Sequence, residues 1–198
     1  MAFTPCSTAL TKSIATACDT ERIKGYEKLG LIVEKSKIDF ATSVQNALNP
    51  RIIENFALTG TNKFAVIYNS KKNPLPFNGT QTAYNRDMDK YDKTIQFYFE
   101  GIGGDASKGV VEPLKENDYV VILPRKDKNG KGSFQIFGWS AGMSAGNDGG
   151  AQVQDEETGY WLITMTGQEK YAEYEFLDTD YDTTKAAFDS FVAAALGE

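Results

Sequence analysis

The sequence predicts a mainly β, α+β fold: an antiparallel β-sandwich or barrel with one short internal helix and a C-terminal helix. Three observations carry this. Aromatic residues are plentiful, with 12 Phe and 10 Tyr in 198 residues, and aromatic side chains favour strands. About eight segments of strand length, apolar or alternating, are separated by turns rich in Gly, Asn and Pro. Only Gly101 to Asn117 and Thr183 to Leu196 carry helical patterns. Antiparallel strands of this length close as a sandwich or barrel with helix cover.

Taken in order, residues 1–20 are rich in Ser, Thr and Ala and lack a clean period. They read as an N-terminal arm ahead of a single domain over 21–198. Leu31-Ile32-Val33 gives the first strand, followed by a charged turn and Ile38-Asp39-Phe40. Arg51 to Leu58 and Lys63 to Tyr68, joined by Thr59-Gly60-Thr61-Asn62, predict a hairpin. Asn69 to Asp89 is a long polar loop interrupted by Pro74, Pro76 and Asn78-Gly79. Tyr91 to Glu100 alternates Ile95, Phe97 and Phe99 against Thr94, Gln96 and Tyr98, a strand with one buried face.

Ser107 is the expected cap of the internal helix, with Val110, Val111 and Leu114 facing the core. Pro113 limits it to about two turns. Tyr119 to Leu123 is an apolar run of strand length, and Asn129-Gly130 is the strongest hairpin signal in the chain. Glu173 to Leu177 is the last strand. Asp182 or Thr183 caps a terminal helix in which Ala187, Phe191 and Ala195 lie four apart.

The stretch from Gly132 to Glu169 organises the rest. Ser133 to Trp139 and Tyr160 to Gly167 read as two strands of one hairpin, joined by about twenty residues rich in Gly, Asn, Asp and Ser. A hairpin needs only two to five or so, so this loop is where contact with another molecule is expected. Loops 70–87 and 140–159 therefore supply the candidate assembly interface: Asn73, Pro74, Phe77 and Asn78 on the first, and Met143, Asn147, Asp148, Gln152 and Asp155 on the second.

Composition narrows the chemistry. Histidine is absent, which removes Ser-His-Asp and Cys-His systems and His-ligated zinc. Net charge is −6 with no Lys/Arg-rich run, so the footprint of a nucleic-acid binder is missing. Met1 to Ala17 lacks a basic start followed by an apolar core, so no export signal is expected. No stretch reaches the roughly 20 apolar residues of a membrane span. Cys6 and Cys18 could close only a short loop, and free thiols in a reducing cytoplasm are the simpler reading.

Several constellations reduce to structural roles. Asp178, Asp180, Asp182 and Asp189 mimic part of a calcium loop, but Thr183 stands where Gly is needed and no bidentate Glu closes the set. Acidic residues ahead of a helix explain them. Asp148 with Asp155-Glu156-Glu157 reads as a solvated charge run. Gly101-Ile102-Gly103-Gly104 lacks the spacing and the Gly-Lys-Ser/Thr ending of a phosphate loop. Trp139, Tyr160 and Trp161 read as core residues rather than anchors. No catalytic residue, metal site or cofactor is expected.

The order of short motifs resembles a family. Cys18-Asp19 precedes a strand and Ile38-Asp39, and later come Val120-Val121-Ile122-Leu123, Phe137-Gly138 and Ala141-Gly142. Leu162-Ile163-Thr164-Met165-Thr166-Gly167 with Glu169 follows, then Thr179 to Lys185 before the last helix. This order resembles small virion proteins of tailed phages that infect Bacteroidetes, of tail-tube type. The resemblance implies a structural protein of the virion, made in the bacterial host cytoplasm. It implies self-assembly into stacked rings, contacts with other virion proteins, and DNA passing through without specific binding. An auxiliary capsid protein or head–tail connector is the alternative within that class. A carbohydrate-binding β-sandwich presenting Trp139, Tyr160 and Trp161 is a weaker one, and nothing in the spacing suggests a carboxylate hydrolase.

Overall fold

The computed structural model describes residues 25–68, 81–100, 103–128, 132–146, 151–155 and 160–197. Among them are eleven strands in two sheets. The larger runs β2 (Val44–Gln45), β3 (Ile52–Asn55), β11 (Tyr174–Phe176), β8 (Phe134–Phe137), β7 (Tyr119–Pro124), β1 (Leu29–Glu34), β4 (Ala65–Tyr68). The smaller runs β5 (Gln81–Asn85), β6 (Lys90–Glu100), β10 (Tyr160–Glu169), β9 (Ala151–Asp155). The mainly β, α+β reading holds, but the sheets are not wholly antiparallel: β11 and β3 run parallel, Glu175 beside Ile52.

The layers explain the sequence patterns. Leu31, Val33, Val120, Ile122, Phe134, Ile136 and Phe176 face a core closed by helix α3 (Tyr181–Leu196) through Phe188 and Phe191. Ile32, Val121, Leu123 and Phe137 face a second core against Ile95, Phe97, Ile163 and Met165 of the smaller sheet. The large sheet is thus the middle of three layers, and its central strands are buried on both faces. That is why β7 reads as an unbroken apolar run, whereas β6 of the outer sheet alternates.

Burial of Val111 and Leu114 follows the expected helical face. The helical run is longer than expected, however: α1 (Gly104–Ala106), a π-helical segment (Ser107–Val111) and α2 (Glu112–Glu116) follow without a break. Its N-cap is Gly103, not Ser107. Pro113 stands at the start of α2, directly after the π-helical segment. The cap of α3 is Asp180, whose carboxylate accepts from Thr183 N at 2.8 Å, rather than Asp182 or Thr183.

Two expected hairpins do not form. β3 and β4 are separated by four strands of the large sheet. β8 and β10 lie in different sheets, β8 between β7 and β11, β10 between β6 and β9. The long segment between β8 and β10 is a crossing between layers, and it contains a strand, β9. The β7–β8 pair does form as predicted, Val121 beside Phe137. The polar stretch before Tyr91 also hides a strand: β5 pairs with β6 from Gln81–Thr94 to Asn85–Lys90. An edge strand with exposed Thr82, Ala83 and Tyr84 carries no apolar face to betray it.

The crossing is made by two consecutive residues. Met143 and Tyr119 exchange both backbone bonds at 2.8 Å, tying the segment to β7. Ser144 and Thr166 exchange bonds at 3.0 and 2.9 Å, tying it to β10. Ala145 N then donates to Leu114 O at 2.8 Å, binding in α2. This close stacking of backbones requires glycine at two points. A Cβ at Gly138 would stand 2.2 Å from Tyr119 O, and one at Gly167 would stand 2.2 Å from Gly142 O. Gly138→Ala or Gly167→Ala should each destabilise the fold by at least about 3 kcal/mol. In thermal unfolding this appears as a fall of roughly 6–12 °C in Tm. A shift within about 1 °C at both sites would contradict the clamp.

Candidate functional site

The expected interface residues divide three ways. Asn73, Pro74, Phe77, Asn78, Asn147 and Asp148 lie outside the described residues. Gln152 and Asp155 fall on β9, paired through the backbone to Leu162 and Tyr160. Met143 is corrected outright: it is fully buried, in the core between the sheets, because the loop that carries it is a clamp. Trp139 is also buried, stacked edge-on to Phe56 with centroids 5.3 Å apart, and Trp161 packs on the second core. A sugar-stacking face built on Trp139 is therefore not formed.

The smaller sheet offers the most distinctive surface. Its inner face is Lys93, Ile95, Phe97, Ile163 and Met165, all buried. Its outer face is a ladder of directly opposed pairs: Asp92–Gln168, Thr94–Thr166, Gln96–Thr164 and Tyr98–Leu162. Gln96 Nε2 donates to Thr164 Oγ1 at 3.1 Å, and Gln168 Nε2 to Asp92 Oδ1 at 3.0 Å. The four pairs hold one carboxylate and no cation. Both end strands, β5 and β9, have a strand neighbour on one side only among the described residues. Ahead of β6, the Arg86–Asp89 turn is fastened by Tyr84 OH donating to Asp89 Oδ1 at 2.8 Å.

Between the sheets lies a polar cluster that the sequence did not signal. Lys93 is 1% exposed. Its ammonium donates to Thr82 Oγ1 at 2.8 Å and to the Ala172 carbonyl, and it sits 5.6 Å from the centre of the Phe137 ring. Burial pushes this ammonium below the usual lysine range, with the Glu169 and Glu173 carboxylates acting in the opposite sense. Glu169, also buried, accepts from Ser140 N at 3.0 Å through one oxygen. Arg125 bridges Gln135 Oε1 at 2.9 Å and Glu173 Oε1 at 2.7 Å. Burial raises the Tyr174 phenol, whose OH lies 2.7 Å from Ser140 Oγ.

Lys93, Glu169 and Tyr174 are buried inside the fold, while Arg125 and Glu173 are partly exposed. The cluster fastens strand ends of the two sheets: Glu169 ends β10, Ser140 follows β8, and Lys93 reaches the β10–β11 connection. A cleft of about 500 Å³ lies elsewhere, lined by Glu34, Lys35, Ser36, Phe40, Glu116 and Asp118 among others. Within it the Ser36 hydroxyl donates to the Glu34 carboxylate. The calcium-like aspartates are accounted for by helix capping and local turns, Asp178 Oδ1 accepting from Thr179 N at 2.8 Å. Among the described residues no group of three or more acidic or sulfur ligands is placed to hold a metal ion. No described helix is long and apolar enough to cross a membrane.

Comparison with protein-family models, with curated proteins and with solved structures finds no match for this chain. The functional reading therefore rests on the residues themselves and on the sheet just described.

Lys93 gives a signed pH prediction. A lysine depressed in the folded state binds its proton more weakly there than in the unfolded chain. Stability is therefore reduced while Lys93 is charged in both states, and rises as pH climbs through the folded value towards the unfolded value near 10.4. Lys93→Met should abolish that rise. Urea unfolding between about pH 7 and pH 10 checks this, and an unchanged slope in the variant would refute it.

Proposed function

We propose that this chain is a structural protein of a phage virion, a tail-tube subunit that assembles into stacked rings around a DNA channel. The observation that carries the reading is the smaller sheet. It combines two end strands, β5 and β9, each with a strand neighbour on one side only among the described residues, with an outer face that is polar and free of cations along its central ladder. Sheets with free edges extend by pairing with the edge of a neighbour. When the edge of one copy meets the other edge of the next, the contact is head-to-tail and closes into a ring if the rotation allows. The ladder of Thr, Gln and Tyr would then line the channel. Phosphate meets hydroxyl, amide and one carboxylate there, so DNA slides without being held.

The rest of the fold suits a load-bearing subunit. Three layers and a clamp of paired backbones hold the sheet from behind, and the buried cluster around Lys93 fixes the ends of its strands.

Negative-stain electron microscopy across a concentration series tests the reading, with mass photometry alongside. Hollow tubes or stacked rings are expected, and single rings without tubes point to a head–tail connector. A monomer at every concentration would refute assembly. Ala83→Lys places a charge on the exposed β5 edge. It should leave stability within about 0.5 kcal/mol, the range typical of surface changes, while abolishing ring formation.

A further inference from the structure

The chain has 4 methionines, and their surroundings differ. Met143 and Met165 are fully buried between the sheets, and Met1 lies outside the described residues. Met88 is 51% exposed, in the turn Arg86–Asp89 that joins β5 to β6. A thioether is oxidised to the sulfoxide where an oxidant can reach the sulfur. Among the described methionines, Met88 is the one open to attack.

What sets Met88 apart from an ordinary surface methionine is its partner. Gln168 Nε2 donates to Met88 Sδ, nitrogen and sulfur 3.4 Å apart, and to Asp92 Oδ1 at 3.0 Å. The amide carries two N–H groups, so one serves the carboxylate and the other is aimed at the sulfur. The turn is held in place around this pair. Met88 N donates to Asn85 Oδ1 at 3.3 Å, Asn85 Nδ2 to Asp92 Oδ2 at 3.4 Å, and Tyr84 OH to Asp89 Oδ1 at 2.8 Å. A thioether is only a weak acceptor, so the donor from Gln168 is poorly used. A sulfoxide oxygen is polar and takes the same N–H more strongly.

We propose that Met88 is an oxidation site of this protein and that Gln168 receives the sulfoxide. The oxidant is hydrogen peroxide. The sulfur lone pair attacks one peroxide oxygen and forms the S–O bond. The O–O bond breaks, and the other oxygen leaves as water with both protons. Sulfur loses two electrons and the peroxide gains them. Oxidation of a core methionine sets a polar group among apolar ones and disrupts the packing. At Met88 the new oxygen meets a donor already in place, and it ties the β5–β6 turn to β10. The site does not rest on the tube reading.

Limiting hydrogen peroxide followed by peptide-resolved mass spectrometry tests the first half. Cys6 and Cys18 are alkylated beforehand, so sulfur oxidation is confined to methionine. In the folded chain Met88 should gain one oxygen at least about tenfold faster than Met143 or Met165, and the three should react alike in urea. Thermal unfolding tests the second half. Oxidation should raise Tm by roughly 2–4 °C, the shift that one added hydrogen bond gives in a chain of this size. The shift should vanish in Met88→Leu, which has no sulfur, and in Gln168→Leu, which has no donor. Each variant is compared with itself before and after peroxide, so a loss of stability from the substitution alone does not blur the result. Met88 reacting no faster than the buried pair would overturn the proposal. So would a Tm that falls or stays unchanged on oxidation, or a shift that survives in either variant.

Discussion

Two adjacent residues, Met143 and Ser144, hold this protein's layers together. Each exchanges a full pair of backbone hydrogen bonds, one with the large sheet and one with the small. Backbone pairs at this spacing leave no room for side chains between them, so the crossing sets the distance between the sheets. The second core fills the space so defined, and Met143 itself is part of the filling. At Gly138, Gly146 and Gly167 glycine stands where backbones touch.

The polar cluster around Lys93 is the electrostatic counterpart of that clamp. A buried ammonium is costly unless it is hydrogen-bonded and near opposite charge. Thr82, the Ala172 carbonyl and the Glu169 and Glu173 carboxylates supply both conditions. Replacing such a network by apolar residues is often tolerated. What the cluster contributes is position: it defines how the end of the small sheet sits on the large one, and therefore the plane in which β5 and β9 present their edges.

A subunit stiffened in this way has two kinds of outer surface. The small sheet's ladder is made of opposed pairs that are polar apart from Leu162. The segment around β2 exposes Phe40, Val44 and Leu48 among Thr, Ser, Gln and Asn side chains and is shaped by Asx turns.

Much of this was legible in the residues. The apolar run of β7, the alternation of Ile95 and Phe97, the hairpin of β7 with β8 and the terminal helix all follow from local periodicity, because burial of one face or two leaves its mark on neighbouring positions. The lack of histidine narrowed the chemistry for the same reason: side-chain type is a local property. Strand partnership is not. Ser133 to Trp139 and Tyr160 to Gly167 look like two arms of one hairpin because each is apolar and they are consecutive, yet they pair in different sheets. Nothing local distinguishes a loop that turns back from one that crosses a layer. β5 escaped notice because an exposed edge has no apolar face, and Met143 was misplaced because glycine signals close backbone contact and free turns alike. Lys93 and Glu169 gave no signal, since a buried charge has the same letter as a solvated one. Only the three-dimensional packing decided those points, because each depends on what residues distant in sequence place opposite.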